Sequence, residues 1–184
     1  MARHLNVVPG FGVVIVAVLV GGMSLGGPTT TSSPPDLKEG HYLLICSAGE
    51  GWAMDLPSQH AHDPEGDVRL SKANGSDFQI WHIFPSPNVP GTFKIASVIG
   101  DDKYLQPEKG DLDRDGREIH FYPKSDSGYQ SWWFEKQPSG RYRIKNVGSG
   151  MYLDERAQDM SKVQQHPNPD PSITNELWTL QPAK

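Results

Sequence analysis

One phrase is written three times in this chain, and that repetition limits the possible folds more than any other feature. An opening aromatic stands at Tyr42, Phe93 and Tyr142, a polar middle residue at Asp55, Gln106 and Asp154, and a closing tryptophan at Trp81, Trp132 and Trp178. The steps between copies are 51 and 49 residues at the first landmark, 51 and 48 at the second, and 51 and 46 at the third. Each copy follows a glycine, at Gly40, Gly91 and Gly140. A repeat of this length is a unit that cannot bury its own apolar face, so the copies must share one core.

Within a copy the pattern is that of strands. Tyr142 and Ile144 point one way while Arg141, Arg143 and Lys145 point the other, and Phe93 and Ile95 alternate around Lys94. Such alternation marks a half-buried strand. Second strands read at Tyr104-Leu105-Gln106 and Tyr152-Leu153-Asp154, third strands at Val68-Arg69-Leu70 and Ile119-His120-Phe121-Tyr122, and fourth strands at the tryptophans. Beyond residues 1–27 no stretch has convincing helical length. The 19 glycines and 16 prolines suit many short strands joined by turns. Four strands in each of three copies predict twelve. Closing them around a pseudo-threefold axis hides the sheet edges and places the three tryptophans at equivalent core positions.

The Gln-x-Trp endings at 79–81 and 130–132, and the phrase Gly-Arg-Tyr-Arg-Ile-Lys-Asn-Val-Gly-Ser-Gly-Met-Tyr-Leu-Asp at 140–154, resemble ricin B-type lectin domains, fungal members in particular. The third copy departs from the pattern, with Glu176 in place of the glutamine. The resemblance covers about residues 38 to 181. It implies an all-β fold, a β-trefoil of three four-stranded repeats within 38–184, at about 40–85, 91–137 and 140–181. It also implies one shallow sugar site per repeat, built from an Asp on the second strand, an aromatic near the third, and an Asn or Gln before the Trp. A carboxylate accepts paired hydrogen bonds from neighbouring hydroxyls, an amide both donates and accepts, and an aromatic face packs on the C–H side of the ring. In the third repeat the matching residues are Asp154, Gln165, His166 and Asn175. In the first they are Asp55 and Gln79. The second has Gln106 where the acid is expected, beside Tyr122 and Tyr129, and reads as degenerate. A plain structural role competes with each, since Asp commonly caps turns.

The remaining segments narrow the setting. Residues 1–27 carry Arg3 and His4, an apolar run from Phe11 to Val20, and small residues thereafter, which describes either a secretory signal peptide or an uncleaved membrane anchor. Residues 28–37 form a Thr/Ser/Pro linker. Asn74-Gly75-Ser76 is an N-glycosylation acceptor in a secreted chain, close to the first repeat's candidate site. Cys46, the single cysteine, excludes an intramolecular disulfide and reads as a core residue. A net charge of -5 without any basic run argues against nucleic acid. Asp111 to Gly116 imitates half a calcium loop but lacks its closing acid, and His60-Ala61-His62 sits in a loop-forming stretch; neither is taken as a metal site, and no cofactor is implied. No nucleophile stands beside a base in a recognisable motif. The expected function is non-enzymatic: a secreted protein that recognises glycans or glycoproteins. The alternative is a protein-interaction module such as a protease inhibitor, using loops 57–66, 85–90 and 166–172.

Overall fold

The computed structural model describes residues 36–47, 51–99, 102–155, 162–167 and 174–184. The segment expected to be a signal peptide or a membrane anchor, and most of the expected linker, fall in residues 1–35, outside the described residues.

Thirteen short strands follow one another: β1 (Gly40–Cys46), β2 (Trp52–Asp55), β3 (Gly66–Asp67), β4 (Arg69–Lys72), β5 (Trp81–Pro85), β6 (Phe93–Ser97), β7 (Lys103–Pro107), β8 (Ile119–Pro123), β9 (Trp132–Lys136), β10 (Tyr142–Asn146), β11 (Tyr152–Glu155), β12 (Val163–His166) and β13 (Trp178–Pro182). The first and last strands of every repeat form a ring. β1 pairs with β5, β5 with β6, β6 with β9, β9 with β10, β10 with β13, and β13 returns to β1, all antiparallel. The middle strands of each repeat make a hairpin across one end of this barrel: β2 with β4, β7 with β8, β11 with β12. This is the β-trefoil. The twelve expected strands become thirteen because Gly66 and Asp67, ahead of β4, pair with Phe121 and His120 of the second repeat.

The landmark residues occupy equivalent places. Tyr42 faces Trp81, Phe93 faces Trp132, and Tyr142 faces Trp178 across their strand pairs. All three indoles are completely buried. Each donates its Nε1–H to the carbonyl just before the middle landmark: Met54 at 3.1 Å, Leu105 at 3.2 Å and Leu153 at 3.0 Å. One side chain therefore fills the barrel and fastens the hairpin over it. Around the indoles pack Leu44, Ile83, Ile95, Phe134 and Ile144 from the barrel, with Met54, Leu105 and Leu153 from the hairpins. Cys46 joins them as a buried residue.

The turn between the first two strands of each repeat needs a left-handed residue. Gly51 (φ 76°) and Gly150 (φ 70°) supply it in the first and third repeats, whereas the second uses Asp102 at φ 64°. Asp102 is the sole non-glycine with positive φ among the described residues. An L-residue in that conformation costs about 1 kcal/mol relative to glycine, although Asp tolerates it better than most.

Replacing Trp81, Trp132 or Trp178 by Phe removes the indole donor and opens a small cavity. Each change is expected to lower stability by about 2–4 kcal/mol, and the three losses should be alike. Denaturant midpoints of the three single variants check this; a negligible loss at any one would contradict the shared role.

Candidate functional site

The hairpin of the first repeat gathers a carboxylate, hydroxyls, an amide and a ring. Asp55, on β2, is paired with Arg69 on β4, and Ser71 lies two residues along on the same face. Ser71 Oγ donates to Asp55 Oδ2 at 2.7 Å, and Arg69 Nε lies 3.4 Å from Oδ1. Gln79 is fully buried beneath. Its Nε2 donates to Asp55 Oδ2 (3.1 Å), Ser71 Oγ (2.8 Å) and the Lys72 carbonyl (2.9 Å). Its Oε1 accepts from the backbone N–H of Asn74 (2.8 Å) and Gly75 (3.3 Å). Gln79 is therefore a positioning residue: it fixes the carboxylate on one side and the 74–75 turn on the other. Above it opens a depression of about 510 Å³ whose lining includes Asp55, Ser58, Arg69, Ser71, Asn74 and Phe78. The half-exposed Phe78 supplies the ring that no residue of β4 provides.

The sequon thus sits on the rim of this depression. Asn74 is exposed, and its Oδ1 accepts from Ser76 N–H at 2.8 Å.

The second repeat keeps the cradle and loses the acid. Gln130 Nε2 donates to Gln106 Oε1 (3.0 Å) and to the Pro123 carbonyl (2.9 Å), as Gln79 does to its own partners. The candidate ring is covered: Lys109 Nζ lies 4.4 Å from the centre of Tyr122, whose hydroxyl accepts from Lys109 N–H. The β3 segment of the first repeat packs along β8 here, and Glu65 beside it ion-pairs with Lys109.

The third repeat replaces the amide donor by a carboxylate, and the electrostatics change with it. Glu176 is fully buried, with His166 Nδ1 3.4 Å from Oε1 and Arg143 Nε 3.7 Å from Oε2. Asp154 is buried too; Gln164 Nε2 and Asn175 Nδ2 each stand 3.4 Å from one of its oxygens. Burial, then the Glu176 charge, push the Asp154 carboxyl up to about 7 against the opposing pull of Gln164. The structure therefore brings together Asp154, His166 and Asn175, with Gln164 as a fourth member that the sequence reading had not singled out. Gln165, one residue on, faces the other side of β12. Its Nε2 donates to the carbonyls of Leu112 (2.7 Å) and Arg114 (2.9 Å), and its Oε1 accepts from Ser149 Oγ (2.8 Å). It ties the acidic 111–116 turn of the second repeat to the third. Period two in β12, where Asp154 is paired with Gln164 and Leu153 with Gln165, is the signal that separates the two glutamines.

His60 and His62 do not act together. His60 spans Asp63 (2.7 Å) and Asp67 (3.3 Å), while His62 is exposed. Among the described residues no group of three or more His, Cys, Asp or Glu side chains is placed to hold a metal ion.

Residues 128–184 match a family described as "Ricin-type beta-trefoil lectin domain-like". No curated protein matches the chain. Among solved structures, ThreeFoil, a designed threefold-symmetric protein, is 24% identical with a TM-score of 0.66, over 77% of this chain and 97% of its own. The Polyporus squamosus lectin, solved bound to a human-type influenza-binding epitope, is 20% identical with a TM-score of 0.67. That match covers 79% of this chain but only 50% of the lectin. The Rhizoctonia solani agglutinin is 16% identical with a TM-score of 0.63, over 82% of this chain and 99% of its own. At these identities the likeness establishes the fold.

The raised Asp154 carboxyl makes stability depend on pH. Its value in the folded chain lies above the ordinary 3.8, so the folded state holds this proton more tightly than the unfolded one. The Asp154 contribution is fully present below about pH 4 and is lost as the pH rises through about 7. Glu176→Gln removes the like charge and restores an amide donor of the Gln79 type. The variant is expected to lower the Asp154 value and to flatten the loss of stability between pH 4 and 8. Urea midpoints across that range, with the Asp154 carboxyl followed by NMR, test it; identical slopes in both proteins would refute it.

Proposed function

We propose that this chain is a secreted, non-enzymatic protein that binds glycans at the hairpins of its trefoil, chiefly in the first repeat. The observation that carries the reading is the Asp55 carboxylate, held by Ser71 and Gln79 at the wall of an open depression that also presents Asn74 and Phe78. Acceptor, amide and ring are the three parts from which a sugar is held by its hydroxyls and its C–H face. The carboxylate is fixed before the ligand arrives, so little ordering is lost on binding. The lectin-like family match and the lectins among the similar folds support the same reading.

The third repeat is the second candidate. Asp154, Asn175, Gln164 and His166 are grouped there, but the acid is less available as a charged acceptor at neutral pH than an ordinary carboxylate. Sugar binding at this hairpin would therefore strengthen above pH 7. Sites of this shallow kind are weak singly and gain from simultaneous engagement of branched or clustered glycans. In a secreted chain Asn74 would carry its own N-glycan at the rim of the first depression and crowd it, so occupancy of the sequon would set how open that site is.

A glycan array probed with the full chain tests the reading. Asp55→Ala is expected to reduce binding by about tenfold or more through loss of charge-assisted hydrogen bonds, with an unchanged circular dichroism spectrum. Asp154→Ala should act additionally on multivalent glycans. An array silent at pH 6 and pH 8, or binding indifferent to both substitutions, would overturn the proposal.

A further inference from the structure

Away from the candidate sugar sites, a cross-strand row runs from the barrel strands onto β7 where the first and second repeats meet. His41 on β1 is directly opposite His82 on β5, His82 is opposite Ala96 on β6, and Ala96 is opposite Tyr104 on β7. The imidazoles lie edge to face at 5.0 Å, His82 packs on Phe84 at 4.7 Å, and Phe84 stands edge-on to Tyr104 at 6.2 Å. Ala96 is the floor between these walls. The result is an open notch of about 470 Å³ whose lining also includes Val98 and Asp102. That is ample for a small ligand.

Pseudo-symmetry shows that the notch is particular to this junction. The equivalent row between the second and third repeats reads Trp133, Lys145, Tyr152, and the one between the third and first reads Thr179, Ile45, Ala53. Lys145 takes the place of Ala96, and its Nζ lies 5.3 Å from the centre of the Tyr152 ring. The chain thus sets its own cation against the tyrosine at that junction. At this one the tyrosine is kept, the cation is missing, and a carboxylate is added. The carboxylate is Asp102, in the left-handed conformation that the equivalent positions give to Gly51 and Gly150. Glu39 adds a second acid through its 3.2 Å contact with His82 Nε2. Among the described residues, no Lys or Arg side chain lines the notch.

We propose that this notch binds a methylated, quaternary ammonium group, the head of a choline-type small molecule, in the place that Lys145 fills at the sister junction. Aromatic faces attract a cation through their quadrupole, most strongly when it is weakly hydrated. The carbon surfaces of Ala96, Val98 and Phe84 suit N-methyl groups better than a primary ammonium, which needs acceptors for three N–H bonds. Burial, with the Asp102 charge behind it, holds the Tyr104 phenol above its ordinary value, and the attraction to a cation is that of the neutral ring's quadrupole. This site is separate from the sugar-binding reading and does not depend on it.

The sister residues provide variants that the fold already accepts. Ala96→Lys installs the cation found at Lys145, and Asp102→Gly installs the glycine of the other two turns. The full chain is titrated with choline chloride and tetramethylammonium chloride, with sodium chloride as the ionic-strength control and methylammonium chloride as the primary-amine contrast, while NMR follows the rings of His82, Phe84 and Tyr104. Saturable shifts with both quaternary salts are expected. Binding should be abolished in Ala96→Lys and weakened about tenfold in Asp102→Gly, with Tm maintained in the first and maintained or raised in the second, where the left-handed turn is relieved. Asp55→Ala should leave it unchanged, which separates this test from that of the glycan site. The proposal fails if neither quaternary salt shifts the rings beyond sodium chloride, if methylammonium binds as well as they do, or if Ala96→Lys retains binding.

Discussion

Three buried N–H···O=C bonds, from Trp81, Trp132 and Trp178 to Met54, Leu105 and Leu153, join the two layers of this protein. Each indole belongs to a barrel strand and each carbonyl to a hairpin. The barrel alone would expose its centre at one end, and a two-stranded hairpin alone is at best marginal in water. The bond makes the two conditional on one another. Direction follows from alternation: with the side chains of Met54, Leu105 and Leu153 packed into the core, the next residue, Asp55, Gln106 or Asp154, is turned to the opposite face of the hairpin. The candidate sites face outward because the core demands it.

The residue two places before each tryptophan then decides what that outward position can be. An amide there holds whatever the middle landmark offers: Gln79 steadies a carboxylate and Gln130 an amide oxygen. Glu176 cannot donate. The third repeat has answered by surrounding the acid with Arg143 and His166 and by pushing the Asp154 carboxyl up to about 7. Three copies of one local geometry therefore carry three kinds of group: a carboxylate anchored by an amide, a neutral amide, and a carboxyl pushed up to about 7. The backbone is common, and the chemistry follows from single substitutions beneath it.

Spacing made the architecture legible. Aromatics and tryptophans that recur at near-equal steps report a shared core whatever lies between, and the positions of Asp55 and Asp154 follow from the same register. Contacts made between repeats left no such mark. Nothing local announces that Gly66 and Asp67 pair with His120 and Phe121, or that Gln165 holds carbonyls at 112 and 114, because each partner sits in another copy. Phe78 escaped notice as a site ring for a related reason: it lies next to Gln79, in a 3-10 turn rather than on the third strand. The notch at Ala96 is a property of four strands side by side, and no linear pattern expresses that adjacency.

The ring of six strands is completed by β13 lying along β1, with partners from Tyr42–Pro182 to Cys46–Trp178. The first strand of the trefoil to be synthesised thus waits for the trefoil's last. Until Trp178 to Pro182 have left the exit tunnel, the growing chain presents two open sheet edges and a core short of one indole, the condition in which nascent β proteins pair with the wrong neighbour. Loss of Trp178 to Pro182 would therefore withdraw the closing stave, leaving five of the six ring strands with β1 and β10 as open edges that invite another chain to pair with them.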